Sequence, residues 1–338
     1  MPNVLFATNR QQRPDSGGLP KFSDEAVAPM PGGLVCALAT VTGIDITAPA
    51  NGTITAITPL TQGGFAAADV APFFASTNDI LVFVHGAANS FEDAITRAAY
   101  NQAWLAAAGL AVASTFDVIA FPWPARSYVL ANIIGDYIDY RHDQAMAQQS
   151  AYHFTEFLTV VQALLQRTGK RRVNLLCHSM GNYVLAGGTA LWFANAARGV
   201  PLFDEIMLAA ADETATSFAT AYDGRLADLW RLGREITVYY NNDDVAMALS
   251  HLANADYRLG YDGPANEMDT RFFSPNVYEF IDCTGVDDDI STLLQSPDRS
   301  HQYYRESPTV RRDIASGLAG LTPIRKKFDA KGNFYSLF

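Results

Sequence analysis

The residues with chemistry to offer gather around one serine. Residues 173–181 read VNLLCHSMG, an apolar run that stops at Ser179 and gives way to helix-forming sequence. A chain that ends a strand, turns within a residue or two and starts a helix must hold the turning residue in a strained conformation, its side chain lifted above the sheet edge. Small residues are needed two positions to either side, because the strand and helix backbones pass closely there. Gly181 meets this need on one side, and Cys177 stands where a glycine is more usual on the other. A serine so placed sits at a helix N-terminus, whose amides and dipole favour developing negative charge. The Met180 amide is then positioned to hold a tetrahedral oxyanion. The chemistry predicted for Ser179 is nucleophilic attack on a carbonyl; its competing role is that of a simple helix cap.

A hydroxyl nucleophile needs a base and an acid to orient that base. When the serine is presented by an elbow of this kind, the chain order is serine, then Asp or Glu, then histidine. Of the six histidines, His251 and His301 follow Ser179. His251 falls within a predicted helix over residues 245–255, whereas His301 lies in a loop after the last predicted strand, so His301 is expected to be the base. The acid should sit just past the C-terminal end of a strand, where it can hold the imidazole tautomer. Residues 236–240 followed by NNDD fit that description. Asp244 is the expected acid and Asp243 the reserve, with helix capping as the other role for Asp243. Asp212, at the end of the predicted strand 207–212, is the main rival. The second oxyanion donor is expected in the segment FVHGA at 83–87, from the Ala87 amide or the Gly86 amide, with Gly86 permitting close backbone approach. His85 precedes the serine and is expected to be structural.

Positioning these groups requires an α/β sheet. Residues 80–84 form a continuous apolar run, as for a strand buried on both faces. Ser90 with Asp93 resembles a capping box that opens a helix reaching about residue 108. A strand at 116–121 is stopped by Pro122, Trp123 and Pro124. Ala147, Ala151, Phe154, Leu158, Val161 and Leu165 then form one helical stripe, with Gly169 as its C-cap. A strand at 172–177, a helix at 180–197, strands at 203–209 and 235–240 with helical sequence at 221–232 between them, a strand at 277–282 and a helix at 309–318 complete the pattern. This alternation implies right-handed crossovers and a mostly parallel doubly wound sheet with helices on both faces, and together with the serine elbow it leads to the expectation of an α/β-hydrolase fold. Residues 1–75 are punctuated by Gly and Pro, and their short strand-like runs at 4–7, 34–41 and 53–58 are expected to form an antiparallel sheet edge. They belong to the same unit as the catalytic core at 76–325, and 326–338 is expected to be a tail.

Composition excludes several classes. The formal charge of −11 over 338 residues, with no basic run, argues against nucleic acid and anionic membranes. Three cysteines argue against a disulfide framework, and no secretory signal or apolar run of spanning length occurs, so a cytoplasmic protein with no membrane span is expected. No metal-ligand spacing is present and no cofactor is expected; Asp287, Asp288 and Asp289 are expected to be a solvated loop. Trp123 with Tyr128 would line an acyl pocket or, alternatively, serve as core or lid packing.

Eight stretches together resemble a bacterial family of α/β hydrolases of unknown function, catalogued as domain of unknown function 900. They are residues 4–10 (VLFATNR), 82–87 (VFVHGA) with 89–93 (NSFED), 121–124 (FPWP), 178–182 (HSMGN), 238–250, 300–304 (SHQYY) and 306–308 (ESP). The resemblance implies that Ser179, Asp244 and His301 form a catalytic triad and that the protein is similar to carboxylesterases or lipases acting on a small-molecule acyl ester. Gln302 and Ser300 depart from the residues more usual beside the family's histidine. Two other functions use the same residues: a non-catalytic binding module on this fold, and an acyltransferase.

Overall fold

The computed structural model describes residues 3–13, 18–48, 51–60, 64–66, 70–108, 115–128, 133–169, 171–194, 201–222, 224–265, 271–286, 300–323, 325–327 and 333–337. The chain opens with β1 (Asn3–Thr8), a hairpin of β2 (Arg10–Arg13) and β3 (Lys21–Ala26), and the strands β4 (Val35–Thr42) and β5 (Thr53–Pro59). After the short helix α1 (Ala71–Ala75), strands and helices alternate. These are β6 (Asp79–Val84), α2 (Phe91–Ala106), β7 (Phe116–Ala120), α3 (Ile133–Thr168), β8 (Val173–His178), α4 (Gly181–Ala194) and β9 (Phe203–Ala209). Next come α5 (Leu229–Leu232), β10 (Gly233–Tyr240), α6 (Val245–Asn254), α7 (Leu259–Asp262) and β11 (Tyr278–Asp282). Helices α8 (Tyr303–Glu306) and α9 (Pro308–Leu318) and the strands β12 (Lys326–Lys327) and β13 (Phe334–Ser336) follow.

Among the described residues these strands form one eleven-stranded sheet in the order β12-β13-β11-β10-β9-β8-β6-β7-β1-β4-β5, with β2 and β3 paired separately. Every pairing from β1 through β7, β6, β8, β9, β10 and β11 to β13 is parallel, and antiparallel pairs occur only at the two ends. Alternate side chains divide between two cores, as the two-residue period of a strand requires. One face carries Val82, Val84, Leu175, Cys177, Leu208 and Val238 against Phe154, Leu158 and Val161 of α3 and Val184 and Leu185 of α4. The other carries Leu81, Phe83, Leu176, Met207 and Tyr239 against Phe91, Ile95 and Trp104 of α2 and Ile314 and Leu318 of α9. This is the α/β-hydrolase arrangement, with β8 at its centre.

The structure corrects several expectations. Strand β1 is an interior strand, parallel to β7 and buried along Val4–Ala7, so the N-terminal segment is more than a sheet edge. Helix α3 runs 36 residues, starting well before the apolar stripe at Ala147. Its early turns carry exposed Tyr137 and Ile138, and Arg141 ties them to α6 by donating to the Ala253 carbonyl at 2.8 Å. The helical sequence expected over 221–232 is helical only at Leu229–Leu232, because turns around Ser217, Gly224 and Leu226 take the preceding backbone bonds. Strand β9 ends at Ala209, before Asp212, since Ala210 adopts φ 47°. The expected tail at 326–338 supplies β12 and β13. The acidic stretch 287–289 and residues 195–197 of the expected helix lie outside the described residues. Cys36, Cys177 and Cys283 are free thiols, and no described helix is long and apolar enough to cross a membrane.

Candidate active site

Ser179 directly follows β8 and holds φ at 53°, the left-handed region that non-glycine residues rarely occupy. The strain is held in place by backbone and side-chain bonds on both sides. The Ser179 amide donates to the Ala209 carbonyl at 3.0 Å. Its carbonyl accepts from the Asn182 amide at 3.0 Å, the Asp212 amide at 3.2 Å and the Asn182 side chain at 2.9 Å. Gly181 is obligatory: a Cβ there would lie 2.5 Å from the His85 carbonyl oxygen and 2.7 Å from that of Val84. Cys177 fits at the other small position, fully buried between the cores' strands. The elbow predicted from VNLLCHSMG is therefore present, with β8 feeding α4 across Ser179.

His301 comes from a stretch 122 positions further along the chain, just before α8. Its Nδ1 lies 2.7 Å from Asp244 Oδ2, and both side chains are nearly sealed from water. Asp244 is also the N-cap of α6, its Oδ1 accepting from the Met247 amide at 3.0 Å. Both carboxylate oxygens are thus used, one to start a helix and one to hold an imidazole. Ser300 adds a clamp, its hydroxyl accepting from the Val245 amide at 3.1 Å, so the histidine loop is tied to the first turn of α6. The imidazole reaches the elbow through His178, the residue before the serine: the two rings lie 4.6 Å apart, and His178 Nε2 is 3.1 Å from the His301 carbonyl oxygen. Acid, imidazole and elbow are brought together. A Ser179 hydroxyl bond to the imidazole is not among these contacts, and such nucleophile–base bonds commonly tighten only with substrate in place.

The two other acids have different surroundings. Asp243 is exposed, its amide donating to Asn241 Oδ1 at 2.8 Å. Asp212 is buried and fully engaged elsewhere: Arg258 lies 2.6 Å from its Oδ1, the Tyr140 hydroxyl donates at 3.0 Å and Ser250 donates as well. Burial pushes its carboxyl upward, but the Arg258 charge and these donors outweigh burial and hold it below the usual carboxylate range. No bond links it to His301. His251 lies in α6 with its ring beside Tyr257.

The loop after β6 faces the elbow. A Cβ on Gly86 would lie 2.7 Å from the Cβ of Ser179, so only glycine permits this approach. Ala88 has φ 57°, and its amide donates to buried Asp143 at 3.0 Å. Asp143 also accepts from the Arg126 amide at 2.8 Å, so this one residue of α3 fastens both the loop and the segment before the helix. His85 is structural, as expected. Its ring stacks on Trp123 with centroids 5.1 Å apart, and its nitrogens face the Gly86 and Trp123 carbonyls at 2.7 and 3.1 Å. Burial, then the charge of Arg10, holds its pKa well below the ordinary value, so the neutral ring donates to only one of them. Trp123 is fully buried and donates to the His85 carbonyl at 2.7 Å, which makes it packing and not a pocket wall. Tyr128 is half-buried; burial and then the Asp143 and Asp212 charges raise its pKa.

Arg10 ends one of the stretches that carry the family resemblance, but the sequence assigns it no role. It is buried, and its guanidinium donates to the carbonyls of Ser23, Asn89, Pro122 and Ala125 at 2.9–3.3 Å. Burial lowers its pKa to about 10, still charged at neutral pH. It stitches the loops beside the elbow, Asp143 fixes the turn at Ala88, and His178 bridges to His301. No spacing rule identifies them, because each acts on backbone groups distant in sequence.

A family profile described as "Alpha/beta hydrolase of unknown function (DUF900)" matches residues 68–317. No curated protein matches the chain. Among solved structures, that of the gene lin2722 product from Listeria innocua overlays 77% of this chain and 99% of its own, with 12% identity and a TM-score of 0.36.

Proposed function

Because this chain belongs to the α/β-hydrolase family of unknown function named domain of unknown function 900, we propose that it is a serine hydrolase that cleaves carboxylic esters through an acyl-enzyme. The observation that carries this reading is the 2.7 Å Asp244–His301 bond beside a serine held at φ 53°. Asp244 fixes the proton of His301 on Nδ1, which leaves Nε2 as the basic nitrogen. Nε2 takes the Ser179 proton as Oγ attacks the ester carbonyl. The Met180 and Ala87 amides, with Gly86 keeping the loop close, receive the oxyanion; the Ala88 amide is already committed to Asp143. His301 returns the proton to the departing alcohol, and water, activated by the same imidazole, releases the acid and regenerates Ser179.

The test is covalent labelling with a fluorophosphonate, followed by peptide mapping and by turnover of short-chain p-nitrophenyl esters. Ser179→Ala should lose labelling and at least about 10³-fold in kcat, with circular dichroism unchanged. Undiminished turnover in that variant would remove Ser179 from the mechanism.

A further inference from the structure

We propose that His178 is a positioning residue that fixes the main chain of His301, so that the imidazole approaches the elbow in one orientation. This rests on the reading of Ser179 and His301 as nucleophile and base. His178 is buried at the last position of β8 and packs against two rings, those of His301 and Tyr304, each centroid 4.6 Å away. A carbonyl oxygen only accepts, so the 3.1 Å contact from His178 Nε2 to the His301 carbonyl requires the proton on Nε2. The ring is neutral: burial first, then the nearby charges of His301, Arg305 and Arg97, push its pKa well below the ordinary value. It therefore cannot compete as the base, and it adds no positive charge beside His301 when that ring becomes imidazolium. His301 is consequently held twice, by Asp244 at Nδ1 and by His178 at its carbonyl. The two bonds reach opposite ends of the residue, so together they restrict both its backbone and its ring.

His178 also faces the oxyanion loop. A Cβ on Gly86 would lie 3.0 Å from His178 Nδ1 and 3.2 Å from its carbonyl oxygen. One side chain thus touches the base and abuts the loop that carries the proposed oxyanion donors, and its own backbone continues into the nucleophile. Misplacing a catalytic group by about 1 Å is enough to lower a rate on the order of 10²-fold.

The experiment compares His178→Phe, which keeps a ring but loses the donor, with His178→Gln, which loses the ring but keeps an N–H near the position of Nε2. Active sites are counted by endpoint fluorophosphonate incorporation, so that any misfolded fraction drops out. His178→Phe should lower kcat per titrated site by about 10- to 100-fold with KM within about twofold, and should shift the acid limb of kcat/KM. His178→Gln should stay within about threefold of the parent in kcat. A second variant, Tyr304→Leu, removes the other ring packed against His178 and should lower kcat several-fold in the same direction. A purely structural role would lower melting temperature and site count while leaving kcat per site, KM and the pH limb unmoved in all three, and that result overturns the proposal. Equal losses in the Phe and Gln variants overturn it as well, since the donor would then not matter. Where Ser179→Ala retains labelling and turnover, the parent reading of the site fails instead, so the two failures are distinct.

Discussion

Glu205 and Asp212 lie seven residues apart, one near the start of β9 and one just past its end, and both are closed off from solvent. Their ionisation runs in opposite directions. Burial raises Glu205 to about 7, with the Thr237 hydroxyl as its one hydrogen-bonding partner at 2.9 Å, and its other oxygen has none among the described residues. Asp212 is held below the usual range by Arg258, Ser250 and Tyr140 despite equal burial. The difference is one of location. Within the ladder the backbone groups are consumed by neighbouring strands, and Glu205 lies under α9, where a Cβ on Gly317 would be 3.1 Å from both of its carboxylate oxygens. Past the strand ends, loops and helix starts deliver amides, hydroxyls and a guanidinium. Asp212 keeps its charge at the C-terminal edge of the sheet, and the Asp244–His301 pair lies along that same edge.

The largest expected effect belongs to the edge. Asp244→Asn keeps an acceptor for the Met247 amide but no longer sets the imidazole tautomer, and kcat should fall on the order of 10⁴-fold in ester turnover while the fold persists. Near-parental kcat would show that the acid lies elsewhere. Next is Arg258→Met, which strips Asp212 of its counter-charge while keeping an apolar stem. The denaturant midpoint at pH 7 should correspond to a loss of about 3–5 kcal/mol. Because the Asp212 pKa is depressed in the fold, its contribution is present above the unfolded value of 3.8 and is lost as pH falls through the lower folded value. The penalty of the variant should therefore shrink as pH falls, beginning where the buried carboxyl, stripped of Arg258, takes up its proton and ending below the parent's lowered folded value. A penalty independent of pH would mean that Arg258 acts by packing alone.

The smallest effect has the opposite sign. Glu205 keeps its proton in the fold up to about 7 while the unfolded chain loses it near 4.5, so stability falls as pH rises through that window. Glu205→Gln removes the dependence. It should raise stability by roughly 3 kcal/mol at pH 8 and leave it unchanged at pH 4, read from melting temperature at the two values. An equal shift at both would reduce the contrast between strand interior and strand end to a matter of packing.

The elbow was legible in the sequence because its constraints are local: a strand, a turn and Gly181 within nine residues. The order of acid and base came from topology, and Asp244 was distinguishable from Asp243 only in so far as adjacent carboxylates point apart. Asp212 remained a rival until its partner was visible, since Arg258 lies 46 residues on and nothing in either segment marks the pair. The first turns of α3 were missed because Tyr137, Ile138 and Arg141 carry no apolar stripe and depend on α6 for anchorage. The strands at 326–338 escape a sequence reading because two- and three-residue strands leave no periodic trace: β13 exists only beside β11, and β12 only beside β13.

Arg10 and His301 reach the loops around the elbow from distant parts of the chain. Ribosomal synthesis delivers the imidazole only after more than 290 residues of elongation beyond the guanidinium. A polypeptide interrupted before residue 300 would therefore carry the strained turn at Ser179 without the Asp244–His301 pair.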